Sequence, residues 1–159
     1  MSAAIKILLE ERWDIRLKHV LGSGRDGDVY STDRSTAVKI FTVAESYLRE
    51  VRAYERISRL GIDLVRGHEV PGFIRAEREF LAIEMTVVSP PFLLDFASAY
   101  LVSEAPDFPE EVWEEWRREK SEAFGERWGE VELILAEFQR VSGMVLLDVN
   151  PGNVRFENA

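Results

Sequence analysis

Residues 22–41 decide the fold, and they read GSGRDGDVYSTDRSTAVKIF. The first half has the spacing G-x-G-x-x-G-x-V, with glycines at positions 22, 24 and 27 ahead of Val29. A dinucleotide-binding fold would require a helix to begin at the last glycine, whereas here a strand-like run and a turn follow. The pattern therefore predicts a glycine-rich hairpin whose backbone N–H groups can approach phosphate oxygens. The alternative is that the three glycines only form a tight turn.

The second half of this segment places a lysine inside the apolar strand AVKIF. Strand alternation puts Ala37 and Lys39 on one face. A lysine in such a strand is costly unless it is paired, so Lys39 is expected to face a ligand anion, a carboxylate or both. The helix that follows offers Glu45, Glu50 and Glu55 as partners. The alternative is an edge strand with an exposed lysine.

Hydrophobic periodicity predicts an α+β fold, in which strands and one helix come first and helices follow. Strands are expected over residues 14–22, 28–31, 36–41, 72–76 and 79–87, and a helix over residues 45–60. The run Ser89-Pro90-Pro91 interrupts the pattern and predicts a boundary. Beyond it, helices are expected over residues 92–101, from Pro109 through Trp116 and over 128–141, with short strands over 144–147 and 154–156.

A third motif lies near the other end of the chain, where residues 146–154 read LLDVNPGNV. Asp148 leaves an apolar strand, and Asn153 follows across a Pro-Gly turn. An acid and an amide in this arrangement can converge on one ion or one hydroxyl group. The alternative is a surface turn, in which Asp, Asn, Pro and Gly are common.

Taken together, the ordered motifs resemble the protein-kinase-like superfamily, including the bacterial aminoglycoside and small-molecule kinases. The resemblance implies an N-terminal lobe over residues 1–88, with an antiparallel sheet and the helix called C in that family. It implies a reduced helical C-terminal lobe over residues 89–159, which contains the segment similar to the catalytic loop.

The resemblance also implies an ATP site. Its nucleotide-binding positions would be Gly22, Ser23, Gly24, Gly27, Val29, Ala37, Lys39, Ile83, Glu84, Met85 and Thr86. Lys39 would hold the α and β phosphates, and Glu50 would orient Lys39. Ile83 would be the gatekeeper, and adenine would lie against Ala37 and the backbone of residues 84–86.

In the family's mechanism Asp148 would orient or deprotonate the acceptor hydroxyl, and Asn153 together with Asp148 would bind Mg²⁺. Two departures weaken this match. Leu146-Leu147 stand where the family has a histidine that braces the loop. The Asp-Phe-Gly segment, whose Asp holds the main metal ion, would lie beyond Ala159, so the metal site is expected to be weak or incomplete.

These residues support a kinase-like ATP-binding protein, which would transfer the γ-phosphate of ATP to a hydroxyl of a protein or small molecule. The alternative is a pseudokinase, a nucleotide-responsive or purely protein-binding scaffold. A third hypothesis keeps only the fold, as a structural interaction protein. The sequence leaves both catalytic activity and the phosphate acceptor open.

Composition excludes several other classes of site and partner. The 159 residues include no Cys and two His, which excludes disulfides, zinc-thiolate sites and multi-His metal sites. A net charge of −9 makes nucleic acid an unexpected partner. No apolar run approaches the ~20 residues of a membrane span, and a cytoplasmic location is expected. Residues 104–132 hold eleven acidic and four basic side chains, which indicates a solvated helical face or a docking surface for a cationic protein partner.

Overall fold

The computed structural model of the protein describes residues 2–157. The helices are α1 (Ala3–Trp13), α2 (Ala44–Arg59), α3 (Glu110–Phe124) and α4 (Trp128–Ser142). The strands are β1 (Leu17–Gly24), β2 (Gly27–Thr32), β3 (Thr36–Phe41), β4 (Leu64–Val65), β5 (His68–Glu69), β6 (Phe73–Glu77), β7 (Ala82–Thr86), β8 (Phe92–Leu93), β9 (Ala99–Leu101), β10 (Met144–Leu146) and β11 (Val154–Arg155).

The first part of the chain forms a five-stranded antiparallel sheet in the order β1-β2-β3-β7-β6. Alternation along β3 separates its side chains into two layers, as expected for a strand that is covered on both faces. Val38 and Ile40 pack with Leu9 and Trp13 of α1, whereas Phe41 packs in the larger core that includes α2. The predicted α+β class, with an antiparallel sheet and its accompanying helix, is confirmed.

The second part of the chain combines α3 and α4 with two small sheets. Strands β9 and β10 form an antiparallel pair, and a four-stranded sheet has the order β11-β8-β5-β4. Since β5 pairs in parallel with β8, strands from both sides of residue 88 share this sheet. The division into lobes at residues 88 and 89 stays a prediction.

The helix predicted over residues 92–101 is wrong. The segment instead forms β8 and β9, and Asp95 between them has a left-handed backbone with φ +67°. Leu93 pairs with Val154 and Ala99 pairs with Leu146. Strand partners far away in sequence therefore override the local helical pattern of this segment.

Helix α1 was not anticipated from the sequence, where a strand was expected from residue 14 and β1 begins at Leu17. The apolar residues of α1 are distributed around the helix, so they form no clear stripe: Leu9 is fully buried, while Ile7 and Leu8 are more than half exposed. The side chain of Ser2 caps the helix by accepting a hydrogen bond from the N–H of Ala4.

Within residues 2–157, the structure contains no helix with both the length and the apolar character that crossing a membrane requires.

Candidate functional site

Lys39 and Glu50 form an ion pair between the sheet and α2, which confirms this expected contact. The two side chains approach to 2.6 Å between Nζ and Oε2. Lys39 is 7 % exposed and Glu50 is 1 % exposed. Glu55, the alternative partner one turn later, is exposed. Glu50 is turned inward because it shares the buried face of α2 with Tyr47 and Tyr54.

The charges of this pair are strongly perturbed. Burial raises the pKa of Glu50 to about 7, although the charge of Lys39 opposes the shift. Burial also acts to lower the pKa of Lys39, but the carboxylates of Glu50 and Asp95 outweigh it, and the pKa of Lys39 is raised. Lys39 therefore remains a cation near neutral pH. With a pKa of about 7, Glu50 is partly protonated at this pH.

A third charged residue, Asp95, joins the pair and was not predicted. Its Oδ1 lies 3.0 Å from Nζ of Lys39, and its Oδ2 accepts a hydrogen bond from Nδ2 of Asn153 at 3.3 Å. The cluster of Lys39, Glu50, Asp95 and Asn153 thus joins the glycine-rich part of the chain to the loop that contains Asp148. We call it the Lys39 cluster.

A sequence signal for Asp95 exists. Asp95-Phe96-Ala97 has the first two residues of an Asp-Phe-Gly segment. It precedes Asp148 in the chain, whereas the kinase resemblance places such a segment after Asn153, beyond residue 159. The carboxylate that meets Lys39 is therefore contributed by an earlier part of the chain than expected.

Strand pairing brings Asp95 and Asn153 together across 58 residues of sequence. Strand β8 ends at Leu93, two residues before Asp95, β11 begins at Val154, directly after Asn153, and the two strands pair antiparallel. The ladder is extended by a hydrogen bond from the N–H of Leu94 to the carbonyl of Asn153, at 2.8 Å. In an antiparallel pair, the residue that follows one strand lies beside the residue that precedes the other.

Asp148 has its contacts elsewhere. Its N–H donates to Oγ of Ser98 at 2.8 Å, and its carboxylate, which is 67 % exposed, lies 3.9 Å from Nζ of Lys120. Leu146 and Leu147 stand where the family resemblance expects a bracing histidine. The carbonyl of Leu147 accepts a hydrogen bond from Nε1 of Trp116 at 2.7 Å. Hydrogen bonds with Ser98 and Trp116 therefore hold the loop backbone at residues 147 and 148.

The turn between Asp148 and Asn153 is closed by Asn150. Its carbonyl accepts hydrogen bonds from the N–H groups of Asn153 and Val154, and its Oδ1 accepts one from the N–H of Gly152 at 2.8 Å. Asn and Gly favour such turns because the Asn side chain can bond to the backbone two residues on. The turn sets the interval between the acid and the amide.

The glycine hairpin is the β1–β2 pair, with Arg25 and Asp26 at its tip. Strand β2 begins at Gly27, which confirms that no helix starts at the last glycine. A Cβ on Gly27 would lie 2.1 Å from the carbonyl oxygen of Ile40, whereas a Cβ on Gly22 would meet nothing within 4 Å. The fold thus requires glycine at position 27 and leaves open space at position 22.

The other predicted nucleotide positions divide between the two faces of the sheet. Val29 and Ile83 lie opposite Lys39 in the neighbouring strands, and Met85 lies opposite Ala37. Directly opposed residues project to the same side, so these apolar side chains share the face of Lys39. Ser23, in β1, is exposed.

Glu84 projects to the far side of the sheet. Its buried carboxylate accepts hydrogen bonds from Nε of Arg75 and Oγ1 of Thr36, both at 2.6 Å. The N–H of Thr86 donates to the carbonyl of Gly72 at 2.9 Å. An adenine contact with the backbone of residues 84–86 stays a prediction.

Among residues 2–157, no group of three or more His, Asp or Glu side chains is arranged for a metal. Asp95 and Asn153 contribute a carboxylate and an amide, two of the groups whose oxygens can bind Mg²⁺. In the structure the amide nitrogen of Asn153, which is not a metal ligand, donates a hydrogen bond to Oδ2 of Asp95 at 3.3 Å. The amide would have to turn over to present its oxygen to an ion.

The chain is similar in fold to aminoglycoside phosphotransferases. Two solved structures of APH(2'')-IIa, one with gentamicin and one with streptomycin and ATP, match it with TM-scores of 0.49 and 0.44 and cover 96 % and 78 % of the chain. An ADP-bound structure of APH(2'')-Ib matches with a TM-score of 0.47 and covers 96 %. Each is 14 % identical in sequence, so the likeness concerns the fold alone.

The chain spans about two fifths of the length of these structures, between 37 % and 42 %. No family model and no curated protein matches the chain.

Proposed function

We propose that this protein binds ATP with a divalent cation beside the Lys39 cluster and transfers the γ-phosphate to a hydroxyl group held near Asp148. The observation that carries the proposal is the meeting of Lys39, Glu50, Asp95 and Asn153. Lys39 lies on the sheet that also includes the glycine hairpin, and its buried side chain contacts Glu50 and Asp95. Asp95 in turn accepts a hydrogen bond from Asn153.

The Lys39 cluster supplies the charges that a polyphosphate requires. Lys39 would contact phosphate oxygens while Glu50 keeps its Nζ in place from the buried side, at 2.6 Å. Asp95 occupies the other side of Lys39, so it would exchange this contact for the cation as the nucleotide enters. Ala37, Ile83 and Met85 lie on the same face of the sheet as Lys39 but are at most 6 % exposed, so an adenine ring would reach them only if the side chains that cover them moved aside.

Asp95 and Asn153 would hold Mg²⁺, whereas Asp148, which the sequence predicted as a ligand together with Asn153, contacts Ser98 and Lys120 instead. The ion would neutralise negative charge on the phosphates as the γ-phosphate leaves. This neutralisation is needed because Lys39 faces two carboxylates, so with Glu50 ionised the protein's own charges beside the phosphates sum to −1. Nucleotide binding is therefore expected to depend on the cation.

Asp148 is suited to meet the acceptor. Its carboxylate is largely exposed, while its backbone is fixed by Ser98. A fixed backbone with an accessible carboxylate can orient the acceptor hydroxyl and take its proton.

Calorimetric titration with ATP, with and without Mg²⁺, tests the binding part of the proposal. Wild type is expected to bind Mg-ATP, and Lys39→Ala is expected to bind it with a loss of about 1.5–3 kcal/mol, the range for a hydrogen bond to a charged group. Arg118→Ala, which removes a cation from exposed α3, is the control and leaves the affinity unchanged. Absence of heat and of any thermal shift at millimolar ATP in the folded protein would refute nucleotide binding.

ATP turnover with protein and small-molecule acceptors tests the transfer step. Asp148→Asn keeps the shape of the side chain and removes the base, so turnover is expected to fall by about 10²–10⁴-fold while ATP affinity changes little. Equal residual activity in wild type and Asp148→Asn would rule out catalysis at this residue.

A second candidate function is a pseudokinase, a nucleotide-responsive or purely protein-binding module. The favouring observation is that Lys39 is buried and already satisfied by two carboxylates, so the cluster is stable without a phosphate. Nucleotide binding without turnover would favour a nucleotide-responsive module. A folded protein that binds no nucleotide would leave a scaffold, with the acidic residues 104–132 as its expected docking surface for a cationic partner.

A further inference from the structure

Helix α3 contains a charged residue whose position on the helix is unusual. Most of α3 is exposed, and its partly sheltered residues are Trp113, Trp116, Lys120, Ser121 and Phe124. Spacings of three and four place these residues along one face. Lys120 is the charged member of this sheltered face, and its side chain is 16 % exposed. A lysine is rarely sheltered to this extent unless its charge has a partner.

The partner is the carboxylate of Asp148. Nζ of Lys120 lies 3.9 Å from Oδ1 of Asp148, and one turn earlier Trp116 donates its indole N–H to the carbonyl of Leu147. The two side chains of α3 therefore contact consecutive residues of the loop. Trp116 and Ser98 form hydrogen bonds with the backbone of this loop, whereas Lys120 contacts the carboxylate of Asp148.

We propose that Lys120 is a positioning residue for phosphoryl transfer, which holds the Asp148 carboxylate in the direction of the acceptor hydroxyl. The proposal rests on the function proposed above. Exposed ion pairs contribute little to folding stability, and Asp148 is largely exposed. The contact is therefore expected to affect the order of the loop and the rate of transfer, with little effect on unfolding.

The simpler alternative is that Lys120 only covers apolar surface with its methylene groups. Lys120→Met separates the two possibilities because it keeps a long apolar side chain and removes the charge. Lys120→Arg restores a cation. Arg118→Met is the matched control, since it removes a cation from the exposed face of the same helix.

Two measurements are made on wild type and the three variants: amide hydrogen exchange over residues 148–153, and Mg-ATP turnover with the protein and small-molecule acceptors of the transfer assay. In Lys120→Met, exchange is expected to rise several-fold and kcat to fall roughly tenfold to a hundredfold, the cost of a misplaced catalytic group, with KM for ATP unchanged. Lys120→Arg recovers most of kcat, and Arg118→Met behaves as wild type.

The outcomes distinguish this proposal from the one it rests on. Unchanged exchange in Lys120→Met overturns the role of Lys120, whether or not the protein turns over ATP. If wild type has no turnover but exchange rises in Lys120→Met alone, phosphoryl transfer fails and the hold of Lys120 on the loop stands. In an active wild type, a kcat that is unchanged in Lys120→Met overturns the positioning role.

Discussion

Glu50 is a carboxylate with almost no exposed surface, and its partner Lys39 also contacts Asp95. Such a group is poorly stabilised in its charged form, because burial removes water and a second carboxylate competes for the same lysine. Its protonation near neutral pH is therefore a property of the site and not of the residue type.

The shifted pKa of Glu50 predicts a pH-dependent stability. Burial raises this pKa from 4.5 to about 7, so between these values the folded protein binds a proton that the unfolded chain has released. The free energy of unfolding should therefore fall as pH rises through this window, by at most about 1.4 kcal/mol per pH unit. Denaturant titrations between pH 4.5 and 8 measure it.

Glu50→Gln should remove this contribution to the pH slope. Glu55→Gln, an exposed position on the same helix, should keep the wild-type slope. Equal slopes in wild type and Glu50→Gln would mean that the carboxyl titrates alike in the folded and unfolded states.

At the scale of elements, the glycine hairpin has two kinds of glycine. Gly27 is fixed by the fold, since its hydrogen faces the carbonyl of Ile40 at a separation that excludes a Cβ. A Cβ on Gly24 would lie 4.0 Å from the carbonyl oxygen of Gly27, and a Cβ on Gly22 would meet nothing within 4 Å. The packing of the protein does not explain why these two positions are glycine, and close approach of phosphates would.

Alanine substitutions separate these roles. Gly27→Ala should destabilise the protein by about 1–3 kcal/mol or more, because the new methyl group overlaps backbone. Gly24→Ala should leave the free energy of unfolding within about 1 kcal/mol of wild type but weaken ATP binding. Denaturant titration and calorimetry measure the two effects. A Gly24→Ala protein with wild-type ATP affinity would show that the hairpin does not cover the nucleotide.

Helix α1 covers the face of the sheet opposite the Lys39 cluster. Leu9, Trp13 and the following Ile15 pack there against Val38 and Ile40. Because β3 carries apolar side chains on both faces, this helix is needed to remove the second face from water.

Two adjacent leucines of α1 test this packing. Leu9 is fully buried and Leu8 is 51 % exposed. Leu9→Ala should therefore lower the free energy of unfolding by about 2–5 kcal/mol, whereas Leu8→Ala should change it by less than about 0.5 kcal/mol. Denaturant titration of both variants measures the difference, and similar losses would contradict the packing of α1.

At the scale of the whole molecule, the site depends on residues that are distant in sequence. Lys39 comes from the sheet, Glu50 from α2, Asp95 from the end of β8 and Asn153 from the start of β11. Asp95 links the two parts of the chain at this site, because it meets Lys39 with one oxygen and Asn153 with the other.

Asp95→Asn tests this connection. Loss of one carboxylate should weaken Mg-ATP binding roughly tenfold to a hundredfold. Without Mg²⁺, ATP binding should be unchanged or stronger, because a negative charge beside the phosphates is gone. Calorimetry with and without the cation measures both, and Asp107→Asn, at an exposed position, is the control. An equal loss under both conditions would mean that Asp95 acts only through Lys39.

Several features of this protein follow from short stretches of sequence. The strand at residues 36–41, the helix that carries Glu50 and the helix over residues 128–141 arise from periodicity within about 15 residues, and the structure places them within one residue of the predicted bounds. The helix predicted from Pro109 through Trp116 begins at Glu110 and continues to Phe124. The need of Lys39 for a counter-charge also follows from a short stretch, because a lysine in an apolar strand is costly unless it is paired. The next helix offers Glu45, Glu50 and Glu55, and the family resemblance singles out Glu50 among them.

Only the tertiary structure decided the remaining part of the site. The segment around Asp95 has a local pattern typical of a helix, yet it forms strand ends because Leu93 pairs with Val154 and Ala99 with Leu146. Backbone pairing between distant strands leaves little local signal, since any sequence that fits the pleat can take part. The position of Asp95 beside Asn153 is therefore a property of the folded chain, while the residue types that make it useful are already present in the sequence.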